Sequence, residues 1–86
     1  KWANEPAYAA IAAAGAGDTA RAASLAHQAL RLHPAWPEGH VFCARAALDG
    51  NQPQLALQHI AQCLARSPNL WNARALQVAA LAAPAS

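Results

Sequence analysis

Charged residues, and acids above all, are scarce in this sequence. Charged side chains occupy 12% of its 86 positions, and the four acids are Glu5, Asp18, Glu38 and Asp49. No two of these acids share a short helical spacing, whereas an enzyme needs a carboxylate pair, a nucleophile with a base, or a set of metal ligands. The scarcity therefore predicts a protein that is not an enzyme and that carries no cofactor.

Strongly basic runs and long apolar runs are also missing. The net charge is +2, without a cluster of like charge, and so weak a field does not predict nucleic acid or an anionic membrane surface as the partner. No apolar stretch reaches the roughly 18 residues of a membrane span, which predicts no membrane insertion. Nothing resembles a signal peptide and the chain starts at Lys1, so we expect a piece of a longer protein. The sequence leaves the compartment open, with a cytoplasmic location slightly favoured over a periplasmic one.

Alanine, in contrast, is abundant, with 27 of the 86 residues. It is the best helix former, while the β-branched residues that favour strands number only a handful. The composition therefore predicts an all-α fold in which small side chains let helices approach closely.

The sequence also repeats, with a period of 34 residues. A shift by this period aligns Trp2 with Trp36 and Pro34 with Pro68, and these matches carry weight because both residue types are scarce. Five further pairs align: Ala10 with Ala44, Ala12 with Ala46, Ala13 with Ala47, Ala22 with Ala56, and Leu30 with Leu64. A period between about 20 and 50 residues points to a solenoid of repeated supersecondary units.

Turn and cap residues divide each period into two helices. Asp18 and Asn69 are suited to cap helices, Pro37 and Pro53 suit first turns, and Pro34 stops the second helix. The sequence predicts five helices, at residues 5–14, 18–32, 37–49, 53–66 and 70–82.

Two segments, "AGDTARAASLAHQALRLHP" and "NQPQLALQHIAQCLARSP", carry small Ala22 and Ala56 and closing prolines at matching offsets. In these segments the chain resembles the tetratricopeptide repeat family, although Gly50 comes one residue early relative to the turn residue Gly17. The resemblance implies a right-handed helical-repeat solenoid of about five antiparallel helices. It divides a single domain, residues 1–86, into repeats at 3–36 and 37–70 and a terminal helix at 70–82.

In this family, the first helix of each repeat lines a concave groove that binds an extended peptide or a partner helix. Carried onto this chain, the resemblance implies a shallow, mostly apolar groove with Arg45 as the single charge on its central stripe. A polar ladder of Asn4, Glu38 and Asn72 would follow one rim at the same 34-residue step. The complete set of predicted groove residues is Asn4, Ala7, Ile11, Glu38, Val41, Arg45, Leu48, Asn72 and Ala75.

The histidines and cysteines leave a second kind of site open. His40 and Cys43 lie three residues apart on one predicted helix, and His59 and Cys63 lie four apart on the next, so that each pair shares a helix face. Two such pairs are compatible with a tetrahedral zinc site, or the two cysteines with a disulfide. We favour buried packing for both cysteines and expect His59 to point away from its partner helix.

Taken together, these patterns predict a non-catalytic module that binds a protein or peptide partner in its groove. The alternative is a structural spacer or oligomerisation arm of a larger enzyme or envelope-assembly protein. We also expect the exposed solenoid ends to self-associate or to pack against another domain of the parent protein, since neither end has the polar outer face of a capping repeat.

Overall fold

Five α-helices make up the computed structural model, which describes residues 4–83 except for the side chain of Trp71. No strand occurs among the described residues, so the all-α prediction is confirmed. The helices are α1 (Glu5–Gly15), α2 (Thr19–Leu32), α3 (Pro37–Asp49), α4 (Pro53–Arg66) and α5 (Trp71–Ala82). Each predicted helix boundary lies within one residue of the observed boundary. Trp2, which carries part of the repeat alignment, lies outside the described residues.

Side chains and prolines account for most of the helix starts. The Asp18 carboxylate accepts a hydrogen bond from the Arg21 N–H at 3.1 Å and caps α2, as predicted. Prolines occupy the first turns of α1, α3 and α4, where their missing N–H costs nothing. The predicted cap of α5 is wrong: Leu70, rather than Asn69, is the N-cap residue, and no side chain caps this helix.

The turn between the two helices of a hairpin has the same backbone geometry twice. Gly17 has a φ of 81° and Asn51 has a φ of 60°. These left-handed residues lie 34 positions apart, and each precedes an N–H that bonds back to the ending helix, Asp18 to Ala13 at 2.9 Å and Gln52 to Ala47 at 2.8 Å. Asn51, rather than Gly50, is therefore the counterpart of Gly17. Asparagine can occupy this position because it is one of the few non-glycine residues that tolerate the left-handed region.

Small residues fill the contacts between paired helices. Ala22 and Ala56 are 2% and 0% exposed, in line with the expectation that small side chains let the helices approach closely. Two apolar clusters result, one centred on α1, α2 and α3 and the other on α3, α4 and α5. Consecutive helices pack against each other, and α3 also contacts α1 and α5. As a result α1, α3 and α5 lie side by side, and the candidate site lies between them.

Candidate functional site: a groove between α1, α3 and α5

An open groove of about 380 Å³ lies where α1, α3 and α5 meet, and the start of α2 contributes to its lining. Its lining residues are Ala14, Thr19, Ala22, Val41, Phe42, Arg45, Asn72, Ala75 and Leu76. Apolar atoms dominate this lining, and the polar groups are the Thr19 hydroxyl, the Asn72 amide and the Arg45 guanidinium. Such a surface suits an apolar ligand whose orientation is fixed by a few polar contacts.

The structure brings together only some of the residues that the sequence predicts for the groove. Four of the predicted residues line it, namely Val41, Arg45, Asn72 and Ala75. Ile11 and Glu38 are exposed but lie outside the lining. Leu48 instead packs against the cluster formed by α3, α4 and α5.

Two other predicted groove residues are buried and do not line this groove. Asn4 is 1% exposed and Ala7 is 0% exposed. The Asn4 side chain accepts a hydrogen bond from the Ala7 N–H at 3.2 Å and donates one to the Ala29 carbonyl at 3.2 Å. Asn4 thus caps α1 and ties it to α2, and the predicted polar ladder along the rim does not exist at this position.

The larger apolar side chains of the groove were missed by the sequence reasoning. Phe42 and Leu76 lie 34 positions apart and both line the groove, so the repeat period itself contains the signal that relates them. Thr19 and Ala22 line it because the first turn of α2 reaches the groove end. The resemblance assigned the groove to first helices alone and therefore gave no reason to include α2.

The charge on the groove is more balanced than the sequence suggested. Arg45 Nε lies 3.6 Å from Asp49 Oδ1, one turn further along α3, so Arg45 is not an isolated cation. The two side chains are 60% and 50% exposed, and a solvent-exposed pair of this kind holds its partners only weakly. The Arg45 guanidinium therefore remains largely accessible to solvent beside the groove. Of the residues that line the groove, Arg45 is the only charged one.

On another part of the molecule, three histidines from three helices meet. We call His27 of α2, His40 of α3 and His59 of α4 the histidine cluster. The Nδ1 atoms of His40 and His59 are 3.3 Å apart, and the ring centroids of His27 and His59 are 5.9 Å apart. His59 is partly buried and faces His40, so the expectation that it points away from the partner helix is wrong.

The cysteines beside this cluster are buried free thiols. Cys43 and Cys63 form no disulfide, and burial raises the pKa of Cys43 to about 11. Burial, followed by the Glu38 carboxylate, also raises the pKa of Cys63. Within residues 4–83, no group of three or more histidine, cysteine or acidic side chains is arranged to hold a metal ion, so His40, Cys43, His59 and Cys63 do not assemble into the ligand set that their spacing allowed.

Comparisons with protein-family models, with curated proteins and with solved structures found no match. In the part of the chain that the structure describes, no helix combines the length and the apolar character that crossing a membrane requires.

Proposed function

We propose that this chain is a non-catalytic, tetratricopeptide-like solenoid module that binds a peptide or a helix in the groove between α1, α3 and α5. The observation that carries the proposal is the groove itself, which is open, predominantly apolar and lined mainly by α3 and α5, with the end of α1 and the start of α2 beside them. An extended peptide or one face of an amphipathic helix is the kind of ligand that binds in an open apolar groove.

The repeated backbone geometry supports the solenoid part of this proposal. Besides the left-handed turn residues, the helix ends repeat with the 34-residue period. The His33 N–H bonds to the Ala29 carbonyl at 2.9 Å, and the Ser67 N–H bonds to the Cys63 carbonyl at 2.9 Å. A repeated unit that leaves its flat sides open is the kind of structure that extends by stacking further units.

The charge at Arg45 indicates that the ligand should carry an acidic group. A guanidinium at the edge of an apolar surface makes charge-assisted, two-pronged hydrogen bonds to a carboxylate. We therefore expect a ligand that places an apolar side chain between Phe42 and Leu76 and an acidic group beside Arg45.

Two substitutions in the groove and one outside it test the proposal. Peptides are selected from a displayed random library on the unmodified chain, and their Kd values are then measured by fluorescence polarisation. Ala75→Trp fills the groove from the exposed face of α5, and Arg45→Glu reverses its charge. Each is expected to raise Kd at least about tenfold, equivalent to about 1.4 kcal/mol of binding free energy.

Arg31→Glu is the matched control, because Arg31 is an exposed arginine in the last turn of α2, outside the groove lining. It is expected to leave Kd unchanged. Selected peptides that bind all three variants as tightly as the unmodified chain would show that they do not occupy the groove, and the proposal would then be wrong.

A second candidate function, a structural or oligomerisation arm, is favoured by one observation. Val78 and Leu81 on α5 are 67% and 69% exposed. They lie one turn apart, on a helix that has α3 and α4 as its neighbours among the described elements. This apolar strip on the open side of α5 is suited to contact another helix, whether from a second copy or from another domain.

A further inference from the structure

Two rings of the histidine cluster face each other through the same atom. Nδ1 of His40 on α3 and Nδ1 of His59 on α4 are 3.3 Å apart, and the two ring centroids are 5.5 Å apart. The residues are 19 positions apart in the chain, so it is the packing of α4 on α3 that brings them together. His40 is 6% exposed, whereas His59 is only partly buried, and the pair therefore borders solvent at His59.

The distance between the two nitrogens is the distance between two ligands of one tetrahedral metal ion. Imidazole nitrogens bind zinc at about 2.0–2.1 Å, and two of them separated by the tetrahedral angle lie about 3.3–3.4 Å apart. The observed separation is 3.3 Å. Since the nitrogens already have this spacing, an ion can bind to both after a change in the tilt of the rings, without a shift of α4 along α3.

The other nitrogen of His40 is bonded in the way that metal-binding histidines require. Nε2 of His40 lies 3.1 Å from the carbonyl oxygen of Pro34. A carbonyl oxygen only accepts hydrogen bonds, so Nε2 carries the hydrogen, and in the neutral ring Nδ1 has a free lone pair. Histidines that bind metal ions almost always donate their other N–H to a carboxylate, a backbone carbonyl or a water, which fixes the tautomer and the ring orientation.

His59 becomes a ligand by a change of tautomer. Without an ion, Nδ1 of His59 carries the hydrogen that lies between the two rings, because Nδ1 of His40 is the acceptor. An ion that takes its place requires this hydrogen to move to Nε2 of His59 by exchange with water, and no proton is gained or lost by the pair. Burial, then His40, then His27 lower the pKa of His59 below 6.5, and the neutral ring is the form that binds a metal ion.

The neighbouring side chains add no third ligand. The Cys43 thiol donates to the Ala23 carbonyl at 4.0 Å, and its pKa of about 11 keeps it protonated. The His27 ring packs against His59 edge-on, with centroids 5.9 Å apart and ring planes at 68°. Since no three such donors converge within residues 4–83, water would occupy the remaining positions around an ion.

We propose that Nδ1 of His40 and Nδ1 of His59 together bind one divalent transition-metal ion of the zinc class, which joins α3 to α4. Imidazole nitrogen is a preferred ligand of zinc, copper and nickel, and the tetrahedral spacing of the pair favours zinc. The site lies outside the groove lining, and it does not depend on what the groove binds.

Calorimetric titration of zinc chloride into the tag-free, chelator-stripped chain at pH 7.5 tests the site. One ion should bind per chain. His59→Gln removes one ligand and keeps an amide that can donate to Nδ1 of His40, and it should raise the Kd for zinc at least about tenfold. His33→Gln is the matched control, because it removes a histidine at the end of α2, outside the cluster, and it should leave Kd unchanged.

Urea unfolding provides a second measurement of the same binding. At a free zinc concentration of about 100 times Kd, the folding equilibrium constant of the unmodified chain should increase about 100-fold, because the folded chain alone holds the two nitrogens together. His59→Gln should gain distinctly less at the same zinc concentration. Equal zinc affinity of His59→Gln and the unmodified chain, or no binding at millimolar zinc, would overturn the proposal.

A spectroscopic measurement on the unmodified chain identifies the ligand atoms and does not depend on a variant that fails to fold. Long-range ¹H–¹⁵N correlation spectra of the imidazoles should show hydrogen on Nε2 of His40 with and without zinc. At His59 the hydrogen should move from Nδ1 to Nε2 when zinc is added. A His59 ring that keeps its hydrogen on Nδ1 at saturating zinc would show that the ion binds elsewhere, and the proposal would then be wrong.

Discussion

Gly39 lies buried in α3, where there is no space for a side chain. A Cβ at this position would come within 2.6 Å of Cε3 of Trp36 and 3.0 Å of Cδ2 of Leu30. Both neighbours belong to the apolar cluster around α3. The absence of a side chain at Gly39 therefore lets the Trp36 ring, which is 5% exposed, pack closely against α3.

Gly39→Ala should consequently destabilise the chain although alanine is the better helix former. The gain in helix propensity is about 1 kcal/mol, whereas forcing an extra group into a packed contact costs about 1–3 kcal/mol. The free energy of unfolding, measured in urea, should decrease. Gly15→Ala is the matched control, because a Cβ there meets nothing within 4 Å, and it should be neutral or stabilising. A more stable Gly39→Ala variant would contradict the packing of Trp36.

The two thiols should be inert in the folded chain. Cys43 is 3% exposed and Cys63 is 0% exposed, burial raises the pKa of both thiols, and the thiolate is the reactive species. A disulfide-exchange reagent at pH 8 should label neither residue until urea unfolds the chain, after which two thiols should react. Rapid labelling of either cysteine under native conditions would contradict the burial described here.

At the scale of the elements, the turn between paired helices depends on one left-handed residue in each hairpin. Asn51, with a φ of 60°, takes the place that Gly17 holds in the first hairpin. This conformation costs a residue with an ordinary Cβ about 1–2 kcal/mol of steric strain, which glycine avoids.

Asn51→Ala should therefore lower the free energy of unfolding by about 1 kcal/mol, while Asn51→Gly should leave it unchanged or raise it. The shift in the midpoint of thermal unfolding reports the change in stability of each variant. Gln52→Ala, at the next position, controls for the loss of a polar side chain. Equal melting temperatures for Asn51→Ala and Asn51→Gly would show that the turn does not impose this conformation.

The helices could be predicted from the sequence because their signals are local. Asp18 caps α2, and Pro37 and Pro53 open α3 and α4, and each of these roles depends only on neighbouring residues. The sequence analysis compared Gly50 with the turn glycine Gly17, whereas the left-handed residue is Asn51. The 34-residue period identifies Asn51, because it lies one period after Gly17.

The groove was less predictable, because exposure depends on contacts between distant residues. Asn4 looks like a surface amide in the sequence, yet its partner Ala29 is 25 residues away. His59 looked solvent-facing until α3 placed His40 against it. The residue type of Asn4 or His59 indicates which hydrogen bonds its side chain can form. Only the packing of the helices decides whether those bonds form.

At the scale of the whole molecule, the described chain is elongated, with extents of 41 × 25 × 19 Å. The groove lies between α1, α3 and α5, and the exposed strip of Val78 and Leu81 lies on α5. The described chain thus exposes two apolar surfaces, the open groove and the strip on α5.

The strip on α5 predicts self-association. In sedimentation-velocity runs over a range of concentrations, the unmodified chain should shift toward a dimer, because about 0.8 kcal/mol is gained for each CH₂ group removed from water. Val78→Glu combined with Leu81→Glu should remain monomeric. Leu32→Glu, on α2 and also at an exposed leucine, should associate like the unmodified chain. If the unmodified chain stays monomeric at every concentration, the strip does not mediate self-association and the prediction is wrong.

The most direct test of the central proposal is to map a bound peptide on the chain by amide and side-chain chemical shifts. Titration of a selected peptide into isotopically labelled protein should perturb the groove residues Val41, Phe42, Arg45, Asn72, Ala75 and Leu76. Intermolecular contacts should place an apolar peptide side chain between Phe42 and Leu76. Perturbations that leave these residues unchanged and concentrate at Val78 and Leu81 would contradict the proposal that the groove is the binding site.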